Sequence, residues 1–450
     1  MVLPPPGPYS EVPIDAEHSA PFYILRFDKR GRPEGPATLK HLMDALVARR
    51  FTDVYVFSHG WNNEWKTALD RYENFMRRFH DLRERYRLGF DRPYRPLLAG
   101  IIWPSAALTA PWSDGPEFAG AEDAQETAGA NVSRLASLVE QLTPTDEDRF
   151  RALAEKTRVD QAEARELIQL AQGSLVGADP DLDGDTPRDT DDVLVSWAQL
   201  ERATSADELP ASPTEFGTAS RSAEISPEAA LSVGQLNPRN LFRVLTVWAM
   251  KDRAGVVGTL GVGPALKEML ESSKDAETRF HLIGHSFGAR LLMAAIGRST
   301  TGKLPRAVNS LLLLQPAVNY LCFSASLPHG GCGGFRTVLD SVRQPVLSTF
   351  SRHDVPLTKT FHLALHRRKD IGEVEIAAAG PPSQYAALGG FGPGGEVDFR
   401  EVAIKDPTDC YELGDAAPRI WAVNGDRAIS GHGDIVSDST AWALFNLARA

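Results

Sequence analysis

The stretch Phe280-His281-Leu282-Ile283-Gly284-His285-Ser286-Phe287-Gly288 decides how the rest of the chain is read. A short, mostly apolar run enters a Gly-x-Ser-x-Gly pentapeptide, and residues 289–296 leave it with apolar side chains at helical spacing. The order is strand, sharp turn, helix. Gly284 and Gly288 lack the Cβ atoms that would collide in so tight a turn. Ser286 is then lifted above the end of a sheet. The Phe287 N–H lies at a helix start, where backbone dipoles favour developing negative charge. A glycine turn of purely structural use is the competing reading, and the strand-to-helix context favours an exposed, reactive serine.

On either side of this stretch the chain alternates strand and helix. Residues 22–28 read as a first strand, after a Pro-rich, irregular start that runs to about residue 20. Residues 39–49 have helical spacing, and Asp53-Val54-Tyr55-Val56-Phe57-Ser58 is a buried strand that runs straight into His59-Gly60-Trp61. Residues 65–87 form a long amphipathic helix with Leu69, Tyr72, Phe75, Met76, Phe79 and Leu82 on one face, a stripe that reads as core packing. A strand at 97–103 ends at Pro104-Ser105. Beyond the gap described next, helices are expected at 241–254, 263–272 and 440–448, and strands at 308–314, 345–351 and 419–424. A Gly-rich excursion occupies 356–418. Such alternation predicts an α/β protein with a doubly wound, mostly parallel sheet.

The alternation breaks between residues 106 and 236, where Ala, Ser, Thr, Pro and acid dominate. Residues 146–228 carry 20 acidic and 8 basic side chains, a net of −12 against −11 for the whole 450-residue chain. The acidity therefore belongs to one segment. Thr145-Asp146-Glu147-Asp148 suits a helix start, and helical spacing continues in two pieces to about Gln172. Residues 179–192 read as an acidic loop and 205–227 as loose. The expected organisation is a core of 1–105 and 237–450 with an inserted, acidic, partly helical segment at 106–236. That segment leaves from the carboxyl end of a strand, so it is expected to cap the site as a lid; an acidic appendage or partner surface is the alternative.

A net negative charge argues against a nucleic-acid partner. No apolar run is long enough to span a bilayer, no signal peptide is readable at Met1-Val2-Leu3-Pro4-Pro5-Pro6, and three cysteines are too few for a disulfide framework. The expectation is a cytoplasmic protein, with a Cys322–Cys332 pair as the minor alternative to free thiols.

A serine hydroxyl needs a base within hydrogen-bond reach, and the base needs a third group to fix its tautomer and balance its charge. Ser286, Asp354 and His432 each follow a separate predicted strand, in that order. Asp426 also ends a strand and rivals Asp354. Asp434 stands too near His432 in sequence to orient it easily. Among the other histidines, His285 is expected to pack beneath the turn, His353 to point away from Asp354, and His329, His362 and His366 to be solvated or structural.

With these parts in place the chain resembles the α/β-hydrolase superfamily, particularly its esterase and lipase-like members. The resemblance rests on His59-Gly60-Trp61, on Gly284-His285-Ser286-Phe287-Gly288, on Asp354 and on His432, and leaves the inserted segment outside it. It implies cleavage of a small-molecule carboxylic ester through an acyl-enzyme. Ser286 would be the nucleophile on its nucleophile elbow, Asp354 the acid and His432 the base. Gly60-Trp61 and Phe287 would supply the oxyanion N–H groups, and His59 would shape their loop. The same parts leave open acyl transfer or amide hydrolysis, and a binding or scaffold protein on a hydrolase fold. Asp179-Pro180-Asp181-Leu182-Asp183-Gly184-Asp185 has the alternating acids of a calcium loop, but Thr190 replaces the bidentate Glu at its twelfth position, so a solvated loop is expected. With no zinc-spaced Cys/His cluster and no phosphate-binding glycine loop, no metal and no cofactor are expected.

Overall fold

The apolar runs become neighbours in one nine-stranded sheet of order β1-β2-β4-β3-β5-β6-β7-β9-β8. The computed structural model describes residues 6–48, 51–61, 65–105, 143–172, 190–207, 235–273, 278–327, 330–361, 382, 385–407, 409–414 and 418–450. The strands are β1 (Ser10–Pro13), β2 (Ser19–Arg26), β3 (Asp53–Ser58), β4 (Pro96–Ile102), β5 (Arg279–His285), β6 (Ser310–Leu314), β7 (Val346–Phe350), β8 (Phe399–Ala403) and β9 (Ile420–Asn424). β1 pairs antiparallel with β2, and the other pairings are parallel. Parallel neighbours need long crossovers, most of which carry helices. Strands β3, β6 and β7 are buried at every residue, which is why they read as unbroken apolar runs rather than alternations.

The two outermost strands correct the sequence reading. β1 lies inside the stretch taken as irregular, and β8 inside the Gly-rich excursion. Both are short edges, and β8 is largely exposed, so neither carries the apolar signal by which buried strands are found.

Helices cover both faces. On one side lie α1 (Pro36–Ala48), α6 (Pro238–Val257), α7 (Gly263–Ser272) and α8 (Phe287–Gly297), which share a core with Val54, Val56, Leu282 and Leu313. On the other lie α2 (Trp65–Arg85) and the C-terminal α10 (Asp438–Arg449), packed on Tyr55, Phe57, Ile283 and Leu312. The whole predicted stripe of α2 is buried. Alternate residues of one strand thus feed opposite layers, the arrangement of a doubly wound α/β fold.

Three described helices fall within 106–236: α3 (Pro144–Ala154), α4 (Gln161–Gln172) and α5 (Thr190–Asp207). Their Phe150, Leu153, Leu167, Ile168 and Trp197 belong to the same buried cluster as α6 and the sheet. Helix α3 begins two residues before the expected start: Pro144 takes the first helical position and the Thr143 hydroxyl accepts the Asp146 N–H. Residues 190–192, expected in an acidic loop, open α5 instead, and residues 205–207, expected to be loose, end it. Residues 179–189, with the calcium-like acids, lie outside the described residues, as do His329, His362 and His366. A short helix, α9 (Leu388–Phe391), sits in the Gly-rich excursion. All three cysteines are free, which removes the Cys322–Cys332 pairing. Among the described residues no helix is long and apolar enough to cross a membrane.

Candidate active site

Strands β3 and β5 are adjacent, but their following connections diverge, one towards β4 and the other towards β6. A crevice opens at such a switch point, outside the carboxyl ends of the strands. Ser58 is in register with Gly284, so the chain two residues on from each brings Gly60 against Ser286. A Cβ at Gly60 would stand 2.5 Å from the Ser286 Cβ, and one at Gly288 would stand 2.2 Å from the Ser58 carbonyl oxygen. These glycines are what allow the end of β3 and the start of α8 to touch.

Ser286 sits at φ +54°, ψ −126°, a region that side-chain-bearing residues avoid. Its N–H donates to the Leu314 carbonyl at 3.1 Å, which ties the turn to the end of β6. His432 Nε2 lies 2.8 Å from Ser286 Oγ, and His432 Nδ1 lies 2.7 Å from Asp354 Oδ2. A carboxylate only accepts, so the proton belongs on Nδ1 and the bare Nε2 faces the hydroxyl. Asp354 is fully buried, and its Oδ1 accepts the Leu357 N–H at 3.1 Å. The three side chains named from the sequence therefore meet. Asp426 does not: it holds Arg352 through the backbone N–H and the guanidinium. Asp434 accepts from the Ser430 N–H and hydroxyl and closes the loop that carries His432. His353 is exposed.

His285 packs beneath the turn, as expected, but it also reaches the His432 loop: its Nε2–H donates to the His432 carbonyl at 2.9 Å. Burial holds its basicity well below the ordinary range, so it stays neutral and keeps one donor. Ser351 Oγ anchors the same loop at the Ile429 carbonyl.

His59 stays neutral as well, its pKa pushed down to about 4 by burial. Its Nδ1–H donates to the Gly60 carbonyl at 2.8 Å, and its Nε2 accepts the Trp103 N–H at 3.3 Å. The Trp103 ring stacks on it at 5.5 Å. Tyr72, read from the sequence only as packing, takes the His59 N–H on its hydroxyl at 2.6 Å and donates to the Ile101 carbonyl at 2.6 Å. The loop at Gly60-Trp61 is thus held from two sides. Phe287 opens α8, where a helix start leaves N–H groups without intrahelical acceptors. Its ring meets Trp61 edge-on at 6.4 Å.

A pocket of about 250 Å³, measured out to its open mouth, adjoins Ser286 and His432, and its other walls are Trp61, Val247, Phe287, Ala317, Pro356, Leu357 and Phe361. All of these are apolar or aromatic. Val247 comes from α6, a helix against which α5 also packs. Among the described residues no group of His, Cys, Asp and Glu could hold a metal ion.

A second Ser–His–Asp array lies at the opposite, amino ends of the strands. Ser310 Oγ is 2.8 Å from His281 Nδ1, and His281 Nε2 is 3.0 Å from Asp53 Oδ1. Its side chains are at most 1 % exposed, and Arg92 grips Asp53 with two bonds of 2.7 Å. Burial alone would raise the Asp53 pKa, but the hydrogen bonds from His281 and Arg92 outweigh it and bring it to about 2. The sequence reading gave these residues no role: Asp53 and Ser310 begin buried strands, and His281, although it lies in the stretch that leads to Ser286, reads there only as part of the mostly apolar run.

The chain is therefore a doubly wound, mostly parallel α/β protein holding hydrogen-bonded Ser–His–Asp arrays of the serine-hydrolase type. Compared with family models, curated proteins and solved structures, it matches none.

Proposed function

We propose that the protein is a serine hydrolase of the α/β-hydrolase kind that cleaves carboxylic esters at Ser286. The observation that carries this reading is the 2.8 Å contact from His432 Nε2 to a serine oxygen held at positive φ beside an apolar pocket. His432 takes the hydroxyl proton as Ser286 Oγ bonds to the ester carbonyl carbon. The buried Asp354 carboxylate balances the imidazolium. The negative charge on the carbonyl oxygen falls to the N–H groups of Phe287 and of the Gly60-Trp61 loop. His432 returns the proton to the departing alcohol. Water then gives His432 a proton, attacks the acyl carbon and releases the acid, and Ser286 recovers its hydrogen from the imidazolium. Apolar walls favour an uncharged acyl group. The segment at 106–236, which follows Trp103-Pro104-Ser105 and whose α5 packs on the helix that carries Val247, is the cap in this reading. The three free thiols fit a reducing compartment, in keeping with a cytoplasmic protein.

A second reading places the chemistry at Ser310, His281 and Asp53. Against it, that array is sealed, and Arg92 already neutralises the carboxylate that would have to face an imidazolium. A fluorophosphonate probe separates the two. Wild type and Ser310→Ala should label, and Ser286→Ala should not. Labelling that persists in Ser286→Ala but vanishes in Ser310→Ala moves the site to the buried array.

A further inference from the structure

Immediately after β6, Gln315 adopts φ +45° while fully buried. Glycine, or asparagine, is what packing alone calls for at such a position. The side chain carries a second cost: its Oε1 is buried without a hydrogen-bond partner among the described residues. What the residue gains is confined to its amide nitrogen. Nε2 donates to Asp354 Oδ2 at 3.1 Å and to the Gly431 carbonyl at 2.8 Å. Both partners only accept, so the amino group must face them and the orphaned oxygen is forced to point away. The backbone on either side is equally committed. The Gln315 N–H donates to Thr349 Oγ1 at 2.9 Å, and the preceding Leu314 carbonyl accepts the Ser286 N–H. Gly389 presses on the same spot, since a Cβ there would stand 2.4 Å from the Gln315 carbonyl carbon. One two-residue junction thus touches the turn of Ser286, the carboxylate of Asp354 and the main chain next to His432, three elements far apart in sequence.

We propose that Gln315 is a positioning residue: its amide ties the Asp354 carboxylate to the loop of His432 and so sets the imidazole against the Ser286 hydroxyl. This rests on the reading of those three side chains as the reacting array. It predicts two effects that packing would not produce. Without the amide, Asp354 keeps His432 and the Leu357 N–H as donors among the described residues, and its Oδ2 is no longer pinned from a second side against the imidazole. The loop also loses the bond at Gly431 and is left to the anchors at Ile429 and His432.

Gln315→Gly tests this without adding strain, because glycine relaxes the positive φ while deleting the amide; Gln315→Leu keeps the bulk and is used if the glycine variant is unstable. Two readouts are taken on the full chain. One is the downfield Nδ1 proton resonance of His432, assigned by its loss in His432→Gln. The other is the fluorophosphonate labelling rate. In the variant the resonance should broaden or vanish, and the labelling rate should fall about 10- to 100-fold, as a misplaced catalytic group does. The thermal midpoint of Gln315→Gly should fall, because a buried side chain is deleted and the Gly431 carbonyl loses its donor, so both readouts are taken below the variant's transition. An unchanged resonance, with the rate within twofold of wild type, overturns the proposal. If wild type itself does not label, the hydrolase reading fails, while the resonance still decides whether Gln315 sets the contact between Asp354 and His432.

Discussion

Gly60→Ala is the sharpest probe of the site, because a single methyl group would enter the space between β3 and the serine turn. The new Cβ would lie 2.5 Å from the Ser286 Cβ, 2.9 Å from His285 Nδ1 and 3.1 Å from the His285 carbonyl oxygen, where ordinary contact begins at 3.4 Å. These atoms belong to the short Ser286 side chain, to the buried His285 ring, itself bonded to the His432 carbonyl, and to backbone, so no flexible end can swing aside. Relief requires the two loops to part by about 1 Å, which displaces the turn that holds Ser286 Oγ 2.8 Å from His432 Nε2. Misplacement of a reacting group by about 1 Å costs roughly 10²-fold in rate. Overpacking of this kind also destabilises by about 1–3 kcal/mol. The assay is the second-order rate of fluorophosphonate labelling on wild type and Gly60→Ala, with thermal denaturation beside it. A labelling loss near 10²-fold, with a folded protein and a lowered midpoint, is expected. Wild-type labelling at an unchanged midpoint would refute the claim that the loop touches the serine turn.

Tyr72→Phe removes the hydroxyl between the His59 N–H and the Ile101 carbonyl and leaves both buried; a loss of about 1–3 kcal/mol per unpaired group is expected by urea denaturation, with slower labelling because the Gly60 loop loosens. Asp53→Asn should leave labelling intact and cost about 3 kcal/mol or more in stability, since it strands the Arg92 charge, which denaturation at pH 7 will measure. Because folding lowers the Asp53 pKa from 3.8 to about 2, the carboxylate stabilises the fold above pH 4, and that contribution, on the order of 2 kcal/mol, is lost as the pH falls from about 4 through 2. His59 and His80 act higher: burial lowers them from 6.5 to about 4 and about 3, so the unfolded chain takes up their protons first and stability declines as the pH drops below 6.5. Both ring nitrogens of His80 are buried without partners among the described residues, so His80→Phe, between Phe79 and Tyr94, should reduce this acid sensitivity in melts run from pH 7 to pH 4; equal sensitivity in both proteins would count against it.

The central strands, the amphipathic α2 and the strand–turn–helix around Ser286 were legible in the sequence for one reason. Each is a local pattern of apolar spacing, and burial on one or both faces writes that pattern into a short window. Ser286, His432 and Asp354 could be nominated because each ends a strand, although order along the chain left Asp426 as a rival. Only the tertiary structure separated them, by pairing Asp426 with Arg352 and burying Asp354 beneath the imidazole. The edge strands β1 and β8, the roles of Tyr72 and Gln315, and the array of Asp53, His281 and Ser310 left no trace in sequence. Exposed edges lack an apolar rhythm, and a side chain that bridges elements 30 or more residues apart, as Gln315 does to Asp354 and Gly431, is specified by strand register and the packing of neighbouring loops rather than by anything adjacent to it in the chain.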